Sequence, residues 1–218
     1  MVLDAFKYIF LVVLGILPIM NPITTIPLFM TLTRNMSKES QQQQAMKACI
    51  YAFFILLAFL ILGNGIIALF GISMPGIRVA GGIIILILGL RMIFTGEDSS
   101  SEVDASATEI KRAELDYSFS PLAMPSIAGP GSIAVVMGFA TQIPAEAPIL
   151  GHIVVAIGIA ITITIAFVAL SSARFIQKLL GDHGMQAVSK MMGFLLTCVA
   201  VQFLASGARD FFLEFSKL

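Results

Sequence analysis

Charge is what this chain has least of. Of its 218 residues only 12% are Asp, Glu, Lys or Arg, where ordinary globular chains hold roughly a quarter. Thirteen basic and thirteen acidic residues cancel, so no net field points to nucleic acid. Tryptophan is absent, which leaves any interfacial aromatic belt to Tyr and Phe. The two cysteines, Cys49 and Cys198, lie in apolar segments with no histidine at ligand spacing; both read as small core residues. The two histidines, His152 and His183, fall at span ends or in loops, on opposite sides of the expected topology. No His-Glu-x-x-His, no Gly-x-Ser-x-Gly and no pair of intramembrane aspartates occurs. The expectation is therefore a non-enzyme with no catalytic residue, metal or cofactor.

What is present instead is apolar surface. Hydrophobic residues make up 58% of the chain and the mean hydropathy is +0.97, more than a soluble domain of this size can bury. About 20 apolar residues cross a bilayer, and six charge-poor runs qualify: Tyr8–Thr33, Ala48–Phe70, Val79–Gly96, Ser118–Thr141, Ile149–Ser172 and Met191–Ala208. In lipid the backbone must satisfy itself, so each run is expected to be helical. Re-entrant segments at the first and fourth runs are the alternative. The N-terminus has no small-x-small cleavage site, so the first run is expected to stay as a span.

Lys and Arg set the expected orientation. Arg34, Lys38, Lys47, Lys111, Arg112, Arg174, Lys178 and Lys190 follow spans one, three and five, against Lys7, Arg78, Arg209 and Lys217 on the other side: eight against four. Both termini are thus expected on the non-cytoplasmic side. The acidic, serine-rich segment 97–117 reads as a polar cytoplasmic linker. It divides the chain into halves, 1–96 and 118–218.

The halves resemble each other. "PIMNPITTIP" (Pro18–Pro27) aligns without a gap on "PLAMPSIAGP" (Pro121–Pro130), and this match uses six of the nine prolines. After about eight extra residues in the second half, Gly82 falls on Gly193, Arg91 on Gln202 and Gly96 on Gly207. Three spans per half make the copies run in opposite directions. The expected fold is therefore all-α and integral to the membrane, six helices in two inverted three-helix repeats, with helices one and four broken.

Proline removes a backbone donor and clashes with the carbonyl four residues back. Opened backbone is tolerated at membrane depth only where protein or a cavity covers it. Its free N–H groups and the positive end of a half-helix suit a small carboxylate ligand. The candidate substrate-binding residues are Asn21, Pro22, Thr24, Thr25, Pro27, Pro125, Ser126, Gly129, Pro130, Gly131 and Ser132. Arg78 and Arg91 are candidate charge partners, though near span ends they equally suit interfacial anchoring. Asn64 reads as packing glue. No Asp or Glu lies deep in an expected span, which argues against a proton relay on an intramembrane carboxylate.

At these residues the chain resembles a known family. "NPITTIPLF", "FGISMPGIRVAGGIIILILGLRMIF", "PLAMPSIAGPGSIA" and "MGFLLTCVAVQFLASG" look like the MarC family of bacterial and archaeal inner-membrane proteins, over essentially the whole chain. The resemblance implies six spans, an inner-membrane location and kinship with small transporters that include lysine exporters. Some members are described as carriers of alanine and glycine. By motif it carries the site to Asn21, Pro22, Pro27, Pro125, Gly129, Pro130 and Gly131. The expected function is a secondary transporter, an exporter of small neutral amino acids bound at the membrane midplane. Its expected partners are a small-molecule substrate and the lipid bilayer; the coupling ion, Na+ or H+, and an oligomeric state stay open. The alternatives are a non-transporting assembly or regulatory protein, an exporter of other small solutes, or a channel.

Overall fold

A computed structural model describes residues 2–34, 36–71, 73–94, 116–144 and 146–215. These residues form eight helical segments and no strand. They are α1 (Val2–Met20), α2 (Pro22–Leu32), α3 (Lys38–Phe70), α4 (Met74–Phe94), α5 (Ser118–Ile127), α6 (Pro130–Thr141), α7 (Pro148–Ser171) and α8 (Ala173–Phe215). Four of the helices are long and apolar enough to cross a membrane, and up to six spans result if each bent pair counts as one. The chain is an all-α integral membrane protein. Of the expected linker 97–117, all but Asp116 and Tyr117 lies outside the described residues.

The third span starts at Pro75, four residues before the expected Val79, and the second and sixth differ most from expectation. The second helix starts at Lys38, and its membrane-length stretch runs Lys38–Gly63, not Ala48–Phe70. Ser37 begins it as a cap, its Oγ accepting the Ser40 N–H at 3.2 Å, and helix propagates through the glutamines because Gln is a good helix former. The sixth stretch runs His183–Leu213, past the expected Met191–Ala208. Its start follows Gly181, whose φ of 63° breaks α8, a conformation open chiefly to glycine.

Prolines decide the remaining breaks. A residue before proline is pushed out of the α region. Asn21, before Pro22, adopts a left-handed φ 40°, ψ 71°. Ser120 and Met124, before Pro121 and Pro125, are extended at ψ 128° and 125°. Gly129, before Pro130, sits at ψ 172°. The axis consequently bends by 45° between α1 and α2, and by 60° between α5 and α6. Pro22 and Pro130 then start the second half of each pair, where a missing N–H costs nothing.

Helices α4 and α8 make the most extensive contact, along a seam of small residues. A Cβ added at Gly89 would lie 2.8 Å from the Gly193 carbonyl, and one at Gly193 would lie 2.9 Å from the Gly89 carbonyl. At Gly82 the neighbours would be Leu204 and Ala200, and at Gly207 they would be Val79 and Pro75. Such residues let two backbones approach where lipid supplies no hydrophobic drive. The contacts are also symmetric. Gly82 meets Leu204 as Gly193 meets Ile93, and exchanging 82 for 193 and 204 for 93 turns one pair into the other. This is the same correspondence that aligned Gly82 with Gly193 in the sequence.

The core gathers Ile16, Ile26, Leu56, Ile85, Leu122 and Leu196, all fully buried. Large apolar side chains such as Phe54, Leu62, Ile87 and Phe194 face outward, as a lipid-facing surface requires. Cys49 is in the core, whereas Cys198, expected there too, is exposed on α8. Its helix buries only one stripe against α4.

Candidate functional site

The first break is built around one carbonyl. Asn21 N–H still donates to Leu17 O at 2.9 Å. Beyond it, the Thr24 N–H (3.2 Å), Thr24 Oγ1 (2.9 Å) and Thr25 Oγ1 (3.5 Å) all turn to the Asn21 carbonyl. The two threonines thus stitch the break to its own backbone. The Asn21 side chain is buried, and its Nδ2 points to Met92 Sδ at 3.8 Å on α4. Pro22 has no N–H to return to the Pro18 carbonyl, which receives no other donor among the described residues.

The second break is wider. Ser126 Oγ donates to Pro121 O at 2.8 Å and Ser132 Oγ to Ile127 O at 3.2 Å, so both hydroxyls serve carbonyls that helix would have used. The Ala128 N–H reaches back to Ala123 O at 2.8 Å, and the Ile133 N–H to Gly129 O at 3.0 Å. Between them, the N–H groups of Gly131 and Ser132 make no hydrogen bond to a described residue, although both residues are buried. Unpaired buried N–H groups are rare in folded proteins.

The two breaks touch. A Cβ at Gly131 would stand 2.9 Å from Ile19 Cγ2, just ahead of Asn21, and 3.4 Å from Ile85 Cγ1 on α4. Gly129 has a different constraint, because a Cβ there would lie 2.5 Å from the Pro125 carbonyl oxygen. Asn21, Pro22, Thr25, Gly131 and Ser132 are buried, and Thr24, Ser126 and Gly129 are half-buried. Pro27, Pro125 and Pro130 are exposed on the outer faces of their helices. Pro125 and Pro130 shape the second break from outside, whereas Pro27 lies within helical α2 beyond the first break.

The arginines lie elsewhere. Arg78, half-buried in the first turns of α4, pairs with Asp210 near the end of α8. Arg91 is exposed in the last turn of α4 and is also engaged. Ile19, Ile85 and Met92, which cover and steady the breaks, were not singled out in the sequence. As apolar residues within apolar helices they carry no local signal.

The MarC family integral membrane protein model matches residues 6–212. The chain is 36% identical over 214 residues to the UPF0056 inner membrane protein MarC of Escherichia coli O1:K1, covering 94% of this chain and 96% of that one. It is 35% identical to the protein of the same name from Citrobacter koseri, covering 95% and 97%. No solved structure matches. With the broken helices carrying the Asn-Pro and Ala-Gly-Pro-Gly elements, and the match running almost end to end, the chain belongs to the MarC family of integral membrane proteins.

Proposed function

We propose that this protein is a secondary transporter that exports small neutral amino acids such as alanine or glycine, without enzymatic activity. The observation that carries this reading is the pair of N–H groups at Gly131 and Ser132, buried residues where the two breaks meet, that make no hydrogen bond to a described residue. Each unmade hydrogen bond of this kind costs about 1–3 kcal/mol, and bonds to a charged group are worth about 1.5–3 kcal/mol. A carboxylate meeting both groups at the positive end of α6 recovers that cost. The Pro18 carbonyl offers an acceptor for the substrate's ammonium group.

Charge and size narrow the ligand. None of the contacts that build this junction involves a described lysine, arginine, aspartate or glutamate side chain, which suits a zwitterion with an uncharged side chain. Ile19 and Ile85 press on Gly131, so only a compact molecule fits, and only after α1 and α6 separate. Halves 1–96 and 118–218, joined by segment 97–117, would rock about this junction with both termini on the non-cytoplasmic side.

The test is flux of radiolabelled alanine and glycine in proteoliposomes, with and without Na+ or H+ gradients. Saturable flux is expected, and Gly131→Val should abolish it while the protein still inserts. Absence of saturable flux under every gradient would refute the amino-acid reading.

A further inference from the structure

A second polar site lies away from the breaks, at the ends of the spans. A cavity of about 340 Å³ opens between α2 and α3 on one side and the α7–α8 junction on the other. Its polar wall is Lys38, Gln41, Gln42, Ser171, Ser172 and Arg174; Met30 and Phe175 form apolar walls. Lys38 starts α3 and Arg174 lies in the first turn of α8. Two helix N-termini and two cations therefore converge on one space. The N–H groups of Ala173, Arg174 and Phe175 have no acceptor among the described residues; neither Lys38 nor Arg174 forms an ion pair within 4 Å there, the Lys38 charge acting only on the exposed carboxylate of its neighbour Glu39.

A buried side chain points to the same ligand independently. Gln41 is only 8% exposed, and its Nε2 is fixed by Thr33 O at 2.7 Å. Its Oε1 accepts no hydrogen bond from a described residue. It is free to take the hydroxyl of a polyol next to an anion.

The geometry points to a binding site for a phosphate group, carried by an anionic lipid headgroup or by a small phosphate ester. Phosphate supplies oxygens for the guanidinium, the ammonium, the serine hydroxyls and the helix N–H groups together. An amino acid is disfavoured, because no acidic side chain among the described residues lines the cavity to receive an ammonium. The level is also right for a lipid: α7 ends at Ser171 and α2 at Leu32, where headgroups lie. Phe175 is 68% and Leu179 72% exposed on the adjoining face of α8, which places apolar surface beside the acyl chains. Basic pockets between spans are a common form of headgroup recognition. This inference does not depend on the transport reading.

The absence of tryptophan makes a clean reporter available. Full-length Phe175→Trp protein is reconstituted into phosphatidylcholine vesicles, with brominated acyl chains carried either by phosphatidylglycerol or by phosphatidylcholine at equal bromine content. Stronger quenching by brominated phosphatidylglycerol is expected. Adding Lys38→Gln and Arg174→Gln should cut that preference by about tenfold or more, as two lipid-facing charges are removed. Adding Lys190→Gln, at an exposed cation outside the cavity, should leave it intact. Release of the preference by millimolar glycerol phosphate would identify the free ester as an occupant; its persistence would identify the lipid. Equal quenching by the two lipids, with no competition by glycerol phosphate, would overturn the site. So would an equal loss in the Lys190→Gln protein, which would reduce the effect to general surface charge.

Discussion

Two glycines, two residues apart, should respond unequally to the same added methyl. At Gly129 the new Cβ would stand 2.5 Å from the Pro125 carbonyl oxygen, about 0.9 Å inside ordinary contact. That oxygen belongs to backbone held between Pro125 and the α5–α6 turn, and it has no rotamer by which to withdraw. The φ of Gly129, −76°, suits alanine, so the cost is purely steric. Overpacking of this kind costs about 1–3 kcal/mol. At Gly131 the methyl would meet Ile19 Cγ2 at 2.9 Å, the end of a flexible side chain that can turn aside. With roughly 2–4 °C of melting temperature per kcal/mol for a chain of this length, Gly129→Ala should melt about 2–12 °C lower in detergent. Gly131→Ala should stay within about 2 °C. Gly138, in the same helix, has no neighbour within 4 Å of a built Cβ; Gly138→Ala should gain up to about 1 kcal/mol from helix propensity. Melting curves followed by circular dichroism decide the matter. A Gly129→Ala protein as stable as the parent, or a Gly131→Ala protein as unstable as Gly129→Ala, would refute the geometry of the second break.

Three further predictions rest on other elements. Asn21 holds a left-handed φ of 40°, so Asn21→Ala should lose about 1–2 kcal/mol and Asn21→Gly much less, as read by the same melts. Arg78→Met should cost about 1–2 kcal/mol by leaving the partly buried Asp210 unpaired, and adding Asp210→Asn should restore part of it; simple additivity in this double-mutant cycle would show that the pair does not couple. Asp116 is held below the usual carboxylate range, first by the Ser118 hydroxyl, then by the Ser118 N–H and Lys47. A depressed folded pKa stabilises above the unfolded value of about 3.9 and is lost as pH falls through the folded one. Asp116→Asn should thus melt lower than the parent at pH 7 and converge with it in acid; a constant gap across pH would rule out this linkage.

How much was legible in the sequence can be judged residue by residue. Asn21, Ser120, Met124 and Gly129 each precede a proline and leave the α region, as the local pre-proline clash favours, whereas Leu17 and Ile26 precede Pro18 and Pro27 and stay helical. The paired breaks could therefore be read from "PIMNPITTIP" and "PLAMPSIAGP". The correspondence of Gly82 with Gly193 was also visible, but not that they pack with Gly89 and Gly207 in one α4–α8 seam. The apolar run Ala48–Phe70 marks the span but not the whole helix around it, which starts at Lys38, because a helix continues through polar residues wherever its own hydrogen bonds hold.

Fold class and the two broken regions thus follow from the sequence alone, since composition sets the solvent and proline acts on its immediate neighbours; which prolines break the helix does not, as Pro18 and Pro27 lie within helix. Tertiary structure alone decided which groups are already spoken for. Thr24 and Thr25 turn to the Asn21 carbonyl, Ser126 and Ser132 to carbonyls five residues back, and Arg78 to Asp210 across the α4–α8 pair. Only packing brought Ile19 onto Gly131, and Lys38 to the same cavity as Arg174. These partners are distant along the chain, and their meeting depends on how whole helices pack.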